Sequence, residues 1–142
     1  MYKRILLPID LDQRSSWEKA LPVAVEYCQI FGASLHLATV LPEFGTGVVG
    51  SYFPPDFEQR AGAEAREKLD GLVREQVPAN LQTRCHVVHG TVYEEILRLA
   101  DDIGADLIVM ASHRPALKDF LIGPNAARVV RHADISVLVV RG

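Results

Sequence analysis

The sequence is poor in cysteine, and its two cysteines, Cys28 and Cys85, form no Cys-x-x-Cys pair. Two isolated cysteines neither cross-link a chain of 142 residues into a disulfide-rich domain nor make a metal knuckle. We therefore expect buried, reduced thiols and one domain over residues 1–142, which is long enough to bury an apolar core of its own.

The sequence also lacks a strong charge of either sign and a long apolar run. The formal net charge is −3 and charged residues make up 23% of the chain, which gives no indication of a nucleic-acid or membrane surface. The apolar run near the start ends at Pro8 and Asp10, which is too short for a signal peptide or a membrane span. We expect a cytoplasmic protein that binds neither nucleic acid nor membranes.

Several well-known site motifs are missing: the Gly-x4-Gly-Lys-Ser/Thr loop, the Gly-x-Ser-x-Gly elbow and a Ser-Gly-Gly run after the first apolar segment. Their absence argues against a P-loop NTPase, an α/β-hydrolase and an adenylating enzyme. Residues 45–50 do read Gly-x-Gly-x-x-Gly, but Ser-Tyr-Phe-Pro-Pro follows them, so no helix begins there to hold a dinucleotide. We interpret residues 42–55 as a long loop rich in glycine and proline.

What the sequence does contain is a series of apolar segments of strand length. Residues 3–9, 34–41, 105–111 and 135–140 are continuous apolar runs, which are typical of strands buried on both faces of a parallel sheet. Residues 81–88 alternate more and suit an edge strand.

Helical patterns lie between these runs, at residues 15–32, 56–77, 91–104 and from 123 or 124 to 132. The first and third begin with Ser-x-x-Glu and Thr-x-x-Glu, which match the capping box, and Pro22 predicts a kink in the first helix. Gly32 and Gly104 suit the helix ends. The alternation of strand and helix predicts a doubly wound α/β sheet with right-handed crossovers.

Polar residues follow two of the buried strands. Asp10 comes after the first, and Ser112-His113-Arg114 comes after the fourth. Because ligands of open α/β sheets bind at the carboxyl ends of the strands, where the strand order reverses, these residues would meet in one crevice if the two strands are neighbours. The helix start at residues 123–126 would add backbone N–H groups suited to an anion. Two simpler interpretations stay open: Asp10 as a turn residue and Arg114 as a surface arginine.

The other histidines give no sign of a metal site. His86 and His89 lie three apart on a predicted strand and therefore on opposite faces. We expect packed or solvent-facing histidines.

Three segments carry a family resemblance: YKRILLPIDLD at residues 2–12, GADLIVMASHRP at 104–115 and LIGPNAARVVRHADISVLVVR at 121–141. They resemble the universal stress protein family over the whole chain. ASHRP, followed by Gly-x-Asn-Ala and Arg-His-Ala, is similar to the short F-type and G-type branch.

The resemblance implies a single Rossmann-like domain of the adenine nucleotide alpha hydrolase type, with four helices and a five-stranded parallel sheet of order 3-2-1-4-5. It also implies a homodimer formed by antiparallel pairing of the last strands, from Ile135 to Arg141. Members of the family that bind nucleotide hold ATP, with or without Mg²⁺, or AMP at the switch point between the first and fourth strands. The implied role is that of a regulatory module in the stress response, with a protein partner that the sequence does not identify.

The resemblance places adenine contacts at Asp10 and Val40. It places the phosphate motif, Gly-x2-Gly-x9-Gly-Ser/Thr, on Ala111, Arg114 and Gly123-Pro124. This chain departs from the motif: alanine and arginine replace the first two glycines, the spacer is one residue short, and Pro124 replaces the hydroxyl residue. The F-type branch shares these departures except for Pro124. The predicted nucleotide-binding residues are Pro8, Ile9, Asp10, Val40, Ala111, Ser112, His113, Arg114, Gly123, Pro124, Asn125 and Ala126.

Two alternatives stay open. The same fold and dimer can act through protein partners without a nucleotide, or the protein can hydrolyse ATP slowly or phosphorylate itself. No general base lies beside the predicted phosphate position, although Asp119 is a conceivable one. We therefore expect no catalytic residues and no metal ligands.

Overall fold

The computed structural model describes residues 1–41, 56–112 and 124–141. The elements are β1 (Arg4–Pro8), a 3-10 turn (Arg14–Ser16), α1 (Ala20–Phe31), β2 (Ser34–Leu41), α2 (Phe57–Gln76), β3 (Thr83–His89), α3 (Val92–Ile103), β4 (Leu107–Ser112), α4 (Pro124–His132) and β5 (Ser136–Arg141). This order confirms the predicted alternation of strands and helices. The predicted loop at 42–55, with its Gly-x-Gly-x-x-Gly match, lies outside the described residues.

The five strands form one parallel sheet of order β3-β2-β1-β4-β5, as predicted. β1 lies in the middle and pairs with β2 on one side and with β4 on the other. The chain winds outward from β1 to β3 and then crosses back to β4, so the strand order reverses between β1 and β4. This is the switch point at which open α/β sheets bind ligands.

Both faces of the sheet are covered by helices, which explains the continuous apolar runs. On one face, Leu7 packs in a core with residues of α1 and α2. On the other, Leu6 packs in a second core with residues of α3 and α4. Because successive side chains of a strand point to opposite faces, each central strand must be apolar at nearly every position.

The predicted start of the first helix is wrong. The Ser-x-x-Glu box overlaps a 3-10 turn, α1 begins only at Ala20, and its N-cap residue Lys19 makes no side-chain cap bond. Pro22 consequently lies in the first turn of α1, where its missing N–H costs no helical hydrogen bond. The kink predicted there has no physical cause, since a helix of this register accommodates Pro22.

The helix ends follow the predictions more closely. Gly32 and Gly104 end α1 and α3 in the left-handed conformation, with φ of 68° and 69°, and glycine adopts this conformation without the penalty that a Cβ brings. Thr91 is the N-cap residue of α3, but its side chain makes no cap hydrogen bond, so the predicted capping box does not form there either.

Two further features of the fold concern the cysteines and the apolar character of the helices. Cys28 is buried, Cys85 is half-buried, and both are free thiols. None of the helices within 1–41, 56–112 and 124–141 combines the length and apolar character that crossing a membrane requires.

Candidate functional site

An open cavity of about 640 Å³ lies at the carboxyl ends of β1, β2 and β4. The loop after β1, one side of α2 and the first turns of α3 and α4 form its walls. Of the predicted site residues, the following line this cavity together: Pro8, Ile9, Asp10, Val40, Ala111, Ser112, Pro124, Asn125 and Ala126. His113, Arg114 and Gly123, and also Asp119, lie outside the described residues.

The loop after β1 holds Asp10 in place through hydrogen bonds. The Asp10 backbone N–H donates to the Ser16 hydroxyl at 2.9 Å. That hydroxyl oxygen lies 2.9 Å from the Asp10 carbonyl oxygen and 2.7 Å from the Gln13 carbonyl oxygen, so it donates to one of these two acceptors. The Ile9 N–H donates to the Ala38 carbonyl at 2.7 Å, which ties the start of the loop to β2.

The carboxylate of Asp10 is only partly used by this loop. Its Oδ1 accepts the Asp12 backbone N–H at 3.0 Å, as in an Asx turn. Its Oδ2 has no hydrogen-bond partner within the described part of the chain, and the side chain is exposed. Asp10 is thus a turn residue whose second oxygen is available to accept from a ligand.

The end of β2 supplies an apolar wall. Ala38 and Thr39 are buried, and Val40 is half-buried and packs against the core beneath α3 and α4. A flat apolar ring placed against Val40 would lie close to the carboxylate of Asp10, because both residues line the same cavity from neighbouring strands.

The opposite wall comes from β4 and α4. Ala111 and Ser112 are half-buried at the end of β4, while Pro124 and Asn125 are exposed and Ala126 is buried at the start of α4. The first N–H groups of a helix have no partner within the helix, and the helix dipole favours an anion beside them. Pro124 supplies no N–H, so within the described residues of α4 the N–H groups without a helical partner begin at Asn125.

Some residues of the cavity were missed by the sequence interpretation. Ala61, Glu64 and Lys68 reach it from α2, and Gly90 reaches it from the end of β3. The charges of α2 read simply as a solvated face, and nothing in their spacing shows which of them borders a cavity. Gly90 carried a usable signal, since a glycine directly after a strand indicates an unusual backbone; its φ is 138°, and an added Cβ would lie 2.9 Å from the Glu95 side chain.

His36 of β2 and His86 of β3 do not line this cavity. His36 Nδ1 and His86 Nε2 are 2.9 Å apart and their rings are stacked, with centroids 5.1 Å apart. Burial, with smaller contributions from His86, Arg84 and Arg4, lowers the pKa of His36 to about 4. The expectation of packed histidines is confirmed for this pair. Among the described residues, no group of three or more His, Cys, Asp or Glu is arranged to hold a metal ion.

Comparison with known proteins identifies the family of this chain. The sequence profile of the universal stress protein family matches residues 1–141. Universal stress protein G of Shigella flexneri is 36% identical over 145 aligned residues, which cover 99% of this chain and 100% of that protein.

Solved structures share the fold. The MJ0577 protein of Methanocaldococcus jannaschii superposes with a TM-score of 0.75 at 27% identity, over 100% of this chain and 97% of that one. A universal stress protein of Archaeoglobus fulgidus, solved in complex with dAMP, superposes with a TM-score of 0.66 at 21% identity, over 97% of each chain. The profile match and the identity to universal stress protein G together show that this chain belongs to the universal stress protein family, and it fits the short F/G-type branch.

Proposed function

We propose that the protein binds an adenine nucleotide, ATP or AMP, in the cavity at the carboxyl ends of β1, β2 and β4, and acts as a dimeric regulatory module of the stress response. The observation that carries this proposal is that the described residues predicted to contact a nucleotide line one cavity at the switch point. Its volume of about 640 Å³ is of the size that small-molecule sites have. The dAMP bound by the Archaeoglobus fulgidus protein supports the ligand class.

The base and ribose would occupy the side formed by β1 and β2. Adenine carries an exocyclic amino group, and Asp10 Oδ2 is an acceptor for it or for a ribose hydroxyl. Val40 would pack against the face of the base. Guanine has a carbonyl oxygen where adenine has the amino group, so a carboxylate in this position disfavours guanine by repulsion between two acceptors.

The phosphates would occupy the side formed by β4 and α4. The N–H groups of Asn125 and Ala126 and the α4 dipole suit phosphate oxygens. Arg114 would add a guanidinium, in keeping with the F-type members of the family, and Lys68 of α2 is a cation on the cavity lining. Mg²⁺ bound with ATP would be held mainly by phosphate oxygens.

The dimer would form along β5. Within the described chain β5 pairs only with β4, and its residues Val137 to Val140 are half-buried. A bare apolar edge strand promotes uncontrolled association, so pairing of residues 135–141 with a second copy would cover it. Analytical ultracentrifugation tests this part, with a dimer as the expected species.

Isothermal titration calorimetry tests the ligand. We expect binding of ATP and AMP in the micromolar range, weaker binding of adenosine, and much weaker binding of GTP. Equal affinity for GTP and ATP would contradict the contact between adenine and Asp10. No detectable heat with any adenine nucleotide would favour the second candidate, a dimeric interaction protein without a nucleotide. That candidate is favoured by Pro124, which removes one N–H and one hydroxyl from the phosphate side.

A further inference from the structure

The edge strand β3 has one side that pairs and one side that does not. From Thr83 to His89 it pairs with β2 in unbroken parallel register. Within the described chain no strand pairs with its other side. As far as the described residues go, the backbone N–H and C=O groups along that side are thus unpaired by any strand and suit an added one.

A cleft of about 530 Å³ lies between β3 and α2. Arg66, Asp70 and Arg74 border it from α2, and because they are spaced four residues apart they share one face of the helix. Arg84 and His86 border the cleft from β3. We call this region the β3 cleft.

The β3 cleft is positively charged on a protein whose net charge is −3. Among the described residues, Arg66, Arg74 and Arg84 line it, and Asp70 is the single acidic residue in that lining. All three arginines are exposed, and in the parts of the chain that the structure describes no carboxylate lies within 4 Å of them as an ion pair. They are therefore available to an acidic partner.

The remaining polar groups of the cleft do not cancel this charge. Burial, together with the hydrogen bond to Asp70 and the charge of Asp70, raises the pKa of the Cys85 thiol to about 11, so Cys85 stays a neutral donor to that carboxylate. Burial, together with Arg66 and Arg84, lowers the pKa of His86, which therefore stays a neutral imidazole near pH 7.

Charged residues on edge strands often serve only to prevent aggregation. That role needs a charge on the strand itself, as Arg84 provides. It does not need two further arginines on a helix that face the same cleft. Guanidinium groups bind carboxylates through two parallel hydrogen bonds, which suits recognition of acidic side chains better than lysine does.

We propose that the β3 cleft binds an acidic segment of a partner protein in extended conformation, as a sixth strand along the free side of β3. The main chain of the segment pairs with β3. Asp or Glu side chains on the face toward α2 bind Arg66 and Arg74, while Arg84, which alternates with Cys85 along β3, is available to an acidic side chain on the other face. A free small anion would use the arginines alone, whereas a peptide also uses the row of backbone groups beside them.

Fluorescence anisotropy with a labelled peptide of alternating Thr and Glu tests the proposal, because such a peptide is extended, soluble and acidic on one face. Two control peptides separate the contributions. The first has Lys in place of Glu, and the second keeps Glu but carries N-methyl groups on alternate backbone amides. We expect binding of the acidic peptide that weakens as salt increases, and a loss of about ten-fold or more with either control.

Variants locate the site. Arg66→Glu and, separately, Arg74→Glu should weaken binding of the acidic peptide by about ten-fold or more, since each change introduces repulsion on the α2 side of the cleft. Arg131→Glu, an exposed position of α4, is the charge-matched control and should change nothing. Circular dichroism checks the fold of each variant, and titration with ATP should be unaffected by all three.

Two results would overturn the proposal. Equal binding of the N-methylated and the unmodified peptide would mean that no strand is added. Absence of binding, or binding that survives both cleft variants, would mean that these arginines only protect the edge of the sheet.

Discussion

Two regions of the sheet use their polar side chains differently: the paired histidines of β2 and β3, and the cavity at the carboxyl ends of β1, β2 and β4. On β2 and β3, His36 and His86 bind each other, and the Ser34 hydroxyl lies 3.4 Å from the other nitrogen of His36. In the cavity, Oδ2 of Asp10 has no hydrogen-bond partner among the residues that the structure describes. Polar groups that find their hydrogen-bond partners within the protein contribute to its stability. Polar groups that face a cavity without an internal partner are available to a ligand. Variants of the histidine pair should therefore change stability, and variants of the cavity should change binding.

The largest expected effect is the pH dependence that comes from His36. Its pKa is about 4 in the folded protein, below the value of 6.5 for a free histidine. Between these two values the unfolded chain binds a proton that the folded chain does not. The free energy of unfolding should therefore fall as the pH falls from about 6.5 to 4, by up to about 3 kcal/mol for this residue, and the effect should level off below pH 4.

Urea unfolding at pH 7 and at pH 4.5 measures this effect. His36→Gln should reduce the difference in unfolding free energy between the two pH values, while Gln76→Ala, a non-titrating exposed position at the end of α2, should leave it unchanged. If His36→Gln keeps the full pH dependence of the original protein, the histidine pair does not stabilise the fold in the way we describe.

The next effect concerns Asp10 and binding. Asp10→Ala should weaken the binding of ATP, AMP and adenosine equally, by about 1.5 to 3 kcal/mol, which is the usual value for hydrogen bonds to a charged group. Stability without ligand should fall by less than about 1 kcal/mol, since among the described residues the Asp10 side chain gives up a single hydrogen bond, from the Asp12 N–H. Calorimetry measures the binding, and Asp134→Ala, exposed before β5, is the matched control. Unchanged ATP affinity would mean that Asp10 serves only its turn.

Substitution of Arg114 tests the proposed phosphate site, because the change in affinity should differ between ATP and adenosine. Arg114→Ala should weaken the binding free energy of ATP by about 1.5 to 3 kcal/mol, because a charge-assisted hydrogen bond is lost. The binding of adenosine should be unaffected. Arg131→Ala is the control for a general loss of positive charge. Equal weakening of ATP and adenosine would place the Arg114 guanidinium away from the phosphates.

The smallest expected effect is a gain in affinity for ATP. Pro124→Ser restores a hydroxyl and an N–H at the start of α4. It should strengthen the binding of ATP by about 0.5 to 1.5 kcal/mol and leave the binding of adenosine unchanged. The same titration measures it. An unchanged ATP affinity would indicate that the N–H groups of Asn125 and Ala126 already hold the phosphates as well as this site allows.

Much of the fold follows from the sequence because its signals are local. A strand buried on both faces must be apolar throughout, so β1 and β4 are evident from their runs alone. The position of Asp10 at the end of a buried strand similarly indicates its place at the switch point.

Other features depend on contacts between distant segments. The pattern of Ser15 and Glu18 does not reveal that α1 begins only at Ala20, or that the hydroxyl of the neighbouring Ser16 binds the loop around Asp10. The approach of Lys68 to the cavity depends on how α2 packs. The contact of His36 with His86 depends on the register of β2 and β3, in which His36 lies beside Arg84 and His86 beside Ala38.

A crystal structure grown with ATP and Mg²⁺ tests the central claim most directly. We predict the adenine ring against Val40, its amino group on the Asp10 carboxylate, and the phosphates at the start of α4 near Asn125. ATP bound elsewhere on the molecule, or a cavity that stays free of ATP at saturating concentration, would contradict the proposed function.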